Sequence, residues 1–285
     1  MSVIKVSDLT YCYGRGTPFE KVALDKVSFN IEKGEFVAII GHTGSGKSTL
    51  VSHLNGLITP ESGSVFLDGE DIFKKGYDLR SARFRVGLVF QYPEYQLFED
   101  TVWEDIAYGP KNMGLDGEEI KKRVAEAAEL VGLDRDVLSK SPFDLSGGQK
   151  RRAAIAGVMA MRPEVLVLDE PSAGLDPAGR NSIFEAIGRY ADATGAAVII
   201  VSHSMDDMAK YCEELVVMSH SKVAMCGKRH EVFSRGEELE AIGLGVPQMT
   251  RLVMLLRQNG VDISPDIYTV EDAESALAEI LGGAV

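Results

Sequence analysis

Short apolar runs recur along the chain and set its predicted architecture. They cover residues 36–40, 86–90, 165–168 and 197–201, and nearly every position in each run is apolar. A continuous run of this length is typical of a strand that is buried on both faces of a sheet. Stretches with helical spacing lie between the runs. The alternation predicts an α/β fold with a mostly parallel sheet.

The middle of the chain, from about residue 94 to residue 161, has no such run. Ile120, Val124, Ala128 and Val131 recur there at helical spacing, with charged residues between them. This periodicity is that of an amphipathic helix. We therefore predict a helical subdomain that is inserted between two strands of the sheet.

The patterns at both ends of the chain predict smaller structural units beside this core. Residues 3–13 and 27–31 predict strands of an antiparallel β edge. The pattern changes after residue 220, and residues 247–258 predict an amphipathic helix with a proline near its first turn. The predicted division is a core domain of residues 1–220 and a small α-rich C-terminal domain of residues 221–285.

A glycine-rich loop joins the first apolar run to a predicted helix and fits the pattern G-x-x-x-x-G-K-[ST]. Glycines let backbone N–H groups turn inward around phosphate oxygens, and the helix N-terminus adds partial positive charge. We expect Lys47 to contact the β- and γ-phosphates of ATP and Ser48 to bind Mg²⁺. The predicted ATP-binding residues of the loop are Gly41, Thr43, Gly44, Ser45, Gly46, Lys47, Ser48 and Thr49.

Two acidic residues follow the third apolar run, at the strand end where ligands of open α/β sheets bind. We expect Asp169 to bind Mg²⁺ through water. Glu170 is the predicted general base that polarises the attacking water. A pair of solvated acids would be the simpler interpretation of these residues alone, but the phosphate loop favours a site for ATP hydrolysis.

A second glycine pair, in the Leu-Ser-Gly-Gly-Gln sequence of residues 145–149, begins another predicted helix. A hydroxyl group and exposed backbone N–H groups at a helix start can hold an anion. Because the first loop already cradles the phosphates of one nucleotide, the second cradle suggests a nucleotide bound to another subunit. We therefore predict a head-to-tail dimer, although the isolated pentapeptide would merely be a turn before a helix. The residues of this second site are Ser146, Gly147, Gly148 and Gln149.

The net charge and composition of the chain limit the kinds of partner that it can bind. The chain has 30 Lys and Arg against 43 Asp and Glu, a formal net charge of −13. Nucleic-acid binding depends on neutralising phosphates, so this charge argues against a nucleic-acid partner. The longest apolar run has six residues, at 196–201, whereas a membrane-spanning helix needs about 20. The three cysteines form no Cys-x-x-Cys pair, so neither a zinc site nor a disulfide framework is predicted.

Taken together, the motifs resemble those of the ATP-binding-cassette (ABC) ATPases. The resemblance covers residues 3–227 and implies a P-loop NTPase fold of the ABC ATPase type, with ATP and Mg²⁺ as cofactors. The features that occur in that family's order are the phosphate loop, Gln91, Leu145 to Gln149, Asp169-Glu170, Gly174-Leu175-Asp176 and His203.

The same resemblance implies roles for individual side chains. Tyr13 resembles the aromatic residue that stacks on adenine, with Tyr11 as the alternative. Gln91 is similar to the glutamine that senses Mg²⁺ and water and reports to the membrane partner. Asp176 resembles the loop residue that crosses the dimer interface, and His203 resembles the switch histidine that contacts the γ-phosphate. The implied catalytic residues are Glu170, His203, Gln91 and Lys47, and the implied metal ligands are Ser48, Gln91 and Asp169.

Within the family, residues 90–98, 101–102 and 105–110 resemble the ATPase component of energy-coupling factor (ECF) importers. Residues 16–20 resemble the second of the two ATPase paralogues in such complexes, and residues 245–250 also resemble theirs. Such importers take up vitamins, cobalt or nickel. The resemblance implies a second ATPase subunit, paralogous or identical, which the C-terminal domain helps to hold. It also implies a transmembrane coupling protein, a substrate-binding membrane subunit and a peripheral position on the cytoplasmic side of the membrane. The aromatic segment 92–98 is the expected groove for helices of the coupling protein, and packing within the helical subdomain is the alternative role of these aromatic residues.

Two other functions fit parts of the pattern. The ATPase subunit of another ABC importer would share the main motifs. A DNA-repair ATPase of the family would separate its two phosphate motifs with long coiled coils, whereas about 100 residues without sustained heptads lie between them here. The sequence favours the ECF function, but another subunit selects the transported substrate, so no residue indicates its identity.

Overall fold

The computed structural model describes residues 2–282 and contains two β-sheets. The strands are β1 (Ser2–Tyr13), β2 (Lys21–Glu32), β3 (Phe36–Gly41), β4 (Ser62–Leu67), β5 (Glu70–Asp71), β6 (Val86–Val89), β7 (Val165–Asp169), β8 (Ala197–Val201), β9 (Glu214–Ser219) and β10 (Lys222–Lys228). The main sheet has the order β10-β9-β3-β8-β7-β6, and the second has the order β2-β1-β4-β5.

The main sheet is parallel except at one edge. β3 pairs in parallel with β8 and β9, while β7 pairs in parallel with β8 and β6. β10 closes one side by antiparallel pairing with β9. Every residue of β6, β7 and β8 is buried, which explains their continuous apolar runs. The predicted α/β fold with a mostly parallel sheet is confirmed.

Helices cover the sheets and supply the connections. No helix within residues 2–282 combines the length and the apolar character that crossing a bilayer requires. Three short 3₁₀-helices cover Pro93–Gln96, Arg135–Ser139 and Pro142–Asp144. The α-helices are α1 (Lys47–Leu54), α2 (Leu79–Arg85), α3 (Val102–Asn112), α4 (Gly117–Leu130), α5 (Gly147–Met159), α6 (Pro177–Thr194), α7 (Met205–Tyr211), α8 (Arg229–Phe233), α9 (Gly236–Ala241), α10 (Gln248–Gln258) and α11 (Val270–Ile280).

The two faces of the main sheet pack into separate apolar clusters. On β3, Val37 and Ile39 join a cluster with α1 and the second sheet. Ala38 and Ile40 join the cluster formed with α3 to α8. This alternation is the two-residue period of a strand. α1 is thus held between the two sheets, which fixes the helix that follows the phosphate loop.

The strands predicted for the antiparallel β edge pair as expected. β1 and β2 are antiparallel partners, and β1 pairs on its other side with β4, so these strands form a sheet separate from the main one. The predicted strands omit β4 and β9. In β4 only Val65 and Leu67 are buried, so this strand shows no continuous apolar run.

The helical middle and the C-terminal end follow the sequence pattern more closely. The described chain from residue 90 to residue 164 contains helices and no strand. At the C-terminal end, α10 and α11 contribute to a small apolar cluster of their own. The predicted boundary at residue 221 falls between β9 and β10, which are paired. Residues 1 and 283–285 of the predicted domains lie outside the described residues, and the division into domains stays a prediction.

Candidate ATP site

The phosphate loop lies between the end of β3 at Gly41 and the start of α1 at Lys47. Gly46 has a φ angle of +107°, a left-handed conformation that favours glycine. A Cβ atom at this position would lie 2.3 Å from the carbonyl oxygen of Ala23. Both the backbone angle and the close contact with β2 therefore require glycine here.

Lys47 and Ser48 begin α1 and turn their side chains in different directions. Lys47 Nζ donates hydrogen bonds to the carbonyl oxygens of Gly41, at 2.7 Å, and His42, at 3.1 Å. Burial lowers the pKa of Lys47, and the nearby carboxylates of Glu170 and Asp169 oppose that shift. Ser48 Oγ donates a hydrogen bond to Asp169 Oδ2 at 2.9 Å.

Asp169 and Glu170 stand at the carboxyl end of β7 and are both buried. Burial, and to a lesser extent the charge of Glu170, raises the pKa of Asp169, while the hydrogen bond from Ser48 lowers it. Glu170 adopts a left-handed φ of +52°, and its backbone N–H donates to the carbonyl of Val201 at 2.9 Å. Nδ1 of His203 lies 2.7 Å from Oε1 of Glu170. Two neighbouring strands thus place the acid and the histidine together.

A cavity of about 300 Å³ lies above these groups. It brings together predicted residues that are as many as 190 positions apart along the chain (Tyr13 and His203). The site therefore depends on the sheet topology rather than on any one segment. The lining residues are Tyr13, Lys21, Ala23, Thr43, Gly44, Gly46, Lys47, Ser48, Thr49, Gln91, Asp169, Glu170 and His203.

Tyr13, and not the alternative Tyr11, lines this cavity. The Tyr13 hydroxyl lies 3.2 Å from Thr49 Oγ1 on α1. Tyr11 packs edge-on behind it, with ring centroids 4.9 Å apart, and also packs against the buried ring of His53. Tyr13 is 43% exposed, so its ring is available for stacking.

Some predicted residues lie away from this cavity. Gly41 lines a neighbouring cavity instead, and Ser45 is fully buried inside the loop. Asp176 caps α6 by accepting a hydrogen bond from the Gly179 backbone N–H at 2.7 Å. The segment at the start of α5 is also absent from the lining. Within one chain, therefore, the two predicted phosphate cradles do not meet.

Ser146 and Gln149 form a capping box at the start of α5. The Gln149 backbone N–H donates to Ser146 Oγ at 3.3 Å, and the Ser146 backbone N–H donates to Gln149 Oε1 at 3.1 Å. Ser146 and Gly147 are exposed, whereas Leu145 before them is buried. The segment is thus a firmly anchored turn whose polar side faces out of the chain.

Lys21 and Ala23 line the cavity without having been predicted. Antiparallel pairing of β1 with β2 sets Lys21 opposite Tyr13, and Lys21 Nζ lies within about 4 Å of a Cβ built on Gly44. No local motif marks either residue, because their position follows from strand register. The one signal that could have indicated Lys21 is strand pairing, which places it opposite Tyr13, the predicted adenine-stacking residue.

Comparison with known proteins agrees with these motifs. A family model described as ABC transporter matches residues 24–173. The energy-coupling factor transporter ATP-binding protein EcfA2 of Clostridium perfringens is 54% identical over 279 residues, 98% of either chain. EcfA2 of Caldanaerobacter subterraneus subsp. tengcongensis is 51% identical over 280 residues, again 98% of either chain. The chain belongs to the energy-coupling factor group of ABC transporter ATPases.

Solved structures give this ABC ATPase the same fold. The structure of cbiO1 from Clostridium perfringens, part of the ABC transporter complex cbiONQ, matches with a TM-score of 0.75 and 38% identity, covering 90% of this chain and 99% of that one. A dimeric, post-hydrolysis ATP-binding cassette bound to ADP and Pi matches with a TM-score of 0.70 and 29% identity, covering 79% of this chain and 98% of that one. The predicted P-loop fold of the ABC type is confirmed, and the ABC ATPase is an ATP-binding subunit whose ATPase activity is coupled to transport.

Proposed function

We propose that this ABC ATPase binds and hydrolyses ATP as one of two paired subunits of an ECF importer for vitamins or transition-metal ions. The observation that carries the proposal is the single cavity on which Lys47, Ser48, Asp169, Glu170 and His203 converge. It holds a cation for phosphates, oxygen ligands for a metal ion and a carboxylate beside a histidine. These are the groups that phosphoryl transfer to water requires.

Each side chain has a distinct task in this proposal. Lys47 brings a positive charge to the phosphate loop and orients the β- and γ-phosphates. Glu170 accepts a proton from the water that attacks the γ-phosphate. His203 lies within hydrogen-bonding distance of Glu170, and its side chain is 79% exposed, so the ring can contact the nucleotide as well.

Mg²⁺ fits the donor set of the cavity. Ser48 Oγ and Asp169 Oδ2 are adjacent oxygen atoms at the base of the site, and oxygen is the ligand that Mg²⁺ prefers. No group of three His, Cys, Asp or Glu side chains suited to a metal ion occurs within residues 2–282, so phosphate oxygens and Gln91 would complete the coordination. Bound there, Mg²⁺ neutralises charge on the transferred phosphoryl group.

The glycine pair that starts α5 supports a second subunit. Neither Gly147 nor Gly148 has a positive φ angle, and a Cβ at either would meet no atom within 4 Å. Neither the backbone angles nor a close contact within the chain therefore requires glycine at these two positions. Close approach of an external group explains the pair. In a head-to-tail dimer that group is the nucleotide of the partner, with Ser146 and Asp176 near the same interface.

Exposed aromatic side chains support contact with membrane subunits. Tyr95 is 85% exposed and Phe98 is 61% exposed, and both follow Gln91 closely in the chain. Phe98 also packs edge-on against the exposed ring of Tyr108, with centroids 5.0 Å apart. Exposed apolar clusters of this kind mark interaction sites. The proposed occupants are helices of a transmembrane coupling protein, joined by a substrate-binding subunit, with the ATPases on the cytoplasmic side.

The test is Glu170→Gln in the complex purified with its partner subunits. The variant keeps the phosphate cradle, so we expect ATP binding to be retained. Turnover should fall by at least about 100-fold, since general bases contribute on the order of 10²–10⁴-fold. ATP hydrolysis and nucleotide affinity are measured on the same preparation.

Glu185→Gln is the matched control, because Glu185 is an exposed carboxylate on α6 outside the cavity. It should hydrolyse ATP at the rate of the unaltered complex. Near-normal turnover in Glu170→Gln would remove Glu170 from the reaction. Absence of hydrolysis in the unaltered, fully assembled complex would contradict the proposed function itself.

A further inference from the structure

A buried arginine outside the ATP cavity joins three segments that the proposed function treats separately. Arg151 lies in the second turn of α5, and its side chain is only 4% exposed. Its Nε lies 3.2 Å from Glu94 Oε2, and its Nη2 lies 2.9 Å from Glu94 Oε1. Its Nη1 donates to the carbonyl of Ala173 and lies 3.5 Å from the carbonyl of Pro171. All three guanidinium nitrogens are therefore engaged.

The partners of Arg151 belong to functional segments. Glu94 lies three residues after Gln91, in the 3₁₀-helix that carries the exposed ring of Tyr95. Pro171 and Ala173 belong to the turn that immediately follows Glu170. Arg151 itself lies two residues after the capping box at the start of α5. From the helix that begins at the second phosphate cradle, Arg151 thus connects the segment of the proposed membrane contact with the turn behind the base.

The turn behind Glu170 needs an external donor. Glu170 has left-handed backbone angles, and its carbonyl accepts a hydrogen bond from the Ala173 N–H at 3.2 Å, which closes the turn. Pro171 and Ser172 are buried. Buried carbonyl groups without donors are costly, and arginine supplies several donors in a fixed plane whereas lysine supplies a compact point charge. The guanidinium group of Arg151 bonds the Glu94 carboxylate on one side and the Ala173 carbonyl of the turn on the other.

We propose that Arg151 is a positioning residue. It fixes the turn that orients Glu170, and it links that turn to Glu94 in the aromatic segment 92–98, the proposed contact with the membrane subunits. The proposal rests on the proposed function, because it takes Glu170 as the base. Arg151 does not line the ATP cavity, so its effect on hydrolysis passes through the turn. Small displacements of a catalytic group are sufficient for large losses of rate.

A purely structural role makes a different prediction. If Arg151 only stabilised the packing of α5, its replacement would lower stability and leave the turnover of the folded complex unchanged. If it positions Glu170, turnover falls while the KM for ATP stays near its original value. The split between kcat and KM therefore separates the two roles.

The test is Arg151→Lys in the complex with its partner subunits. Lysine keeps the charge next to Glu94 but cannot hold the carboxylate and the turn together. We expect kcat to fall about 10-fold or more, with the KM for ATP within about twofold of the original because the lining of the cavity is intact. Steady-state ATP hydrolysis measures both constants.

Arg123→Lys is the matched control. Arg123 is 14% exposed, its Nε lies 2.8 Å from Glu119 Oε1, and its Nη1 donates to the Met161 carbonyl at 3.1 Å. It thus has one carboxylate and one carbonyl partner, but it lies away from the ATP cavity. Its replacement should lower stability without changing kcat. Equal kcat values for Arg151→Lys and Arg123→Lys would overturn the proposal.

Glu94→Gln provides a second, milder variant. The amide still accepts a hydrogen bond from Arg151 but no longer carries the opposite charge, so kcat should fall by a smaller factor. Residues that act as one unit give non-additive effects. The double variant Glu94→Gln/Arg151→Lys should therefore resemble Arg151→Lys alone. A double variant whose kcat loss equals the product of the two single losses would contradict the link, even if Arg151→Lys alone assembles poorly.

Discussion

At the scale of single residues, Asp105 on α3 is a carboxylate that the fold leaves incompletely satisfied. Its Oδ1 accepts hydrogen bonds from the backbone N–H groups of Phe98, at 3.1 Å, and Glu99, at 3.3 Å. Its Oδ2 is buried without a hydrogen-bond partner among the described residues. Burial raises the pKa of Asp105, although the two backbone donors partly oppose the shift. The two hydrogen bonds tie Asp105 to the loop before α3, while burial disfavours the charged form of its carboxyl group.

Asp105→Asn should therefore stabilise the protein near neutral pH. The amide can keep both backbone donors at Oδ1, and no charge is buried. Because the folded pKa is raised, the cost of the charge applies above that pKa and disappears below the ordinary aspartate value, where both states are protonated. Urea unfolding should show a variant that is more stable than the original at pH 7.5, with a difference in stability that closes below about pH 4.

Asp100→Asn serves as the control, because Asp100 is exposed in the same loop. Its effect on the free energy of unfolding should not depend on pH in this way. A gap for Asp105→Asn that widens as the pH falls would show that burial does not raise the pKa of this carboxyl group.

The residues of the site differ in how far the sequence could indicate them. Lys47 and Glu170 belong to local motifs whose spacing carries the chemistry, so they could be predicted, and the structure places both on the cavity. The resemblance favours Tyr13 with Tyr11 as the alternative, and the structure places Tyr13 on the cavity while Tyr11 packs against His53. Lys21 and Arg151 depend on contacts between distant segments, and no local pattern marks them.

At the scale of elements, α3 shows how a short local signal fixes a helix start. Thr101 Oγ1 accepts a hydrogen bond from the Glu104 backbone N–H at 3.2 Å and donates one to Glu104 Oε2 at 3.0 Å. Threonine is a favoured residue at this position because its hydroxyl satisfies an N–H group that the helix cannot. The helix then carries Asp105 and Tyr108 to their places beside the aromatic segment.

Thr101→Ala should lower the free energy of unfolding by about 1 kcal/mol, the usual cost of losing such a cap. Thr101→Ser keeps the hydroxyl and should retain most of the original stability. Chemical denaturation of the two variants measures the difference. Equal losses in alanine and serine variants would assign the effect to the threonine methyl group instead of the cap.

Burial on both faces made most strands of the main sheet predictable from sequence, although the predicted strands omit β9, in which every residue after Glu214 is buried. β7 and β8 appear directly as apolar runs, because helices or a second sheet cover each face. β4 mixes exposed and buried positions, so its sequence contains no continuous apolar run. The pairing of β1 with β4 in a separate sheet depends on long-range contacts, which a single sequence does not display.

At the scale of the whole molecule, the C-terminal helices present apolar side chains to solvent. On α10, Leu252 is 37% exposed and Leu255 is 51% exposed, and on α11, Val270 is 62% exposed and Ile280 is 45% exposed. The opposite side of α10 packs Val253 into a small cluster. Such a surface agrees with the predicted role of the C-terminal domain in holding two ATPases together.

Leu255→Glu should weaken pairing of the two ATPase subunits while the chain remains folded, because an exposed position accepts a charge but an apolar interface does not. Sedimentation of the co-expressed ATPases should show a larger monomer fraction. Gln258→Glu, at an exposed position of the same helix, should leave pairing unchanged. Undiminished association of Leu255→Glu would contradict a role for these helices in pairing the ATPases.

The α/β class and the order of the motifs could be predicted for the molecule as a whole, since they follow from apolar runs and local patterns. The relation between the two phosphate cradles could only be inferred. Residues 145–149 do not line the cavity at the phosphate loop, and in the proposed dimer the two segments meet only across a nucleotide shared with a second polypeptide.

The outward-facing turn at Ser146 and Gly147 bears on how the cell handles newly made subunits. In the proposed dimer, a single copy has the phosphate loop and the proposed base, while the cradle for the far side of its nucleotide comes from the second subunit. On this proposal, a newly synthesised chain would hydrolyse no ATP before it pairs with that subunit. The division of the site would then prevent hydrolysis during biogenesis without a dedicated inhibitor.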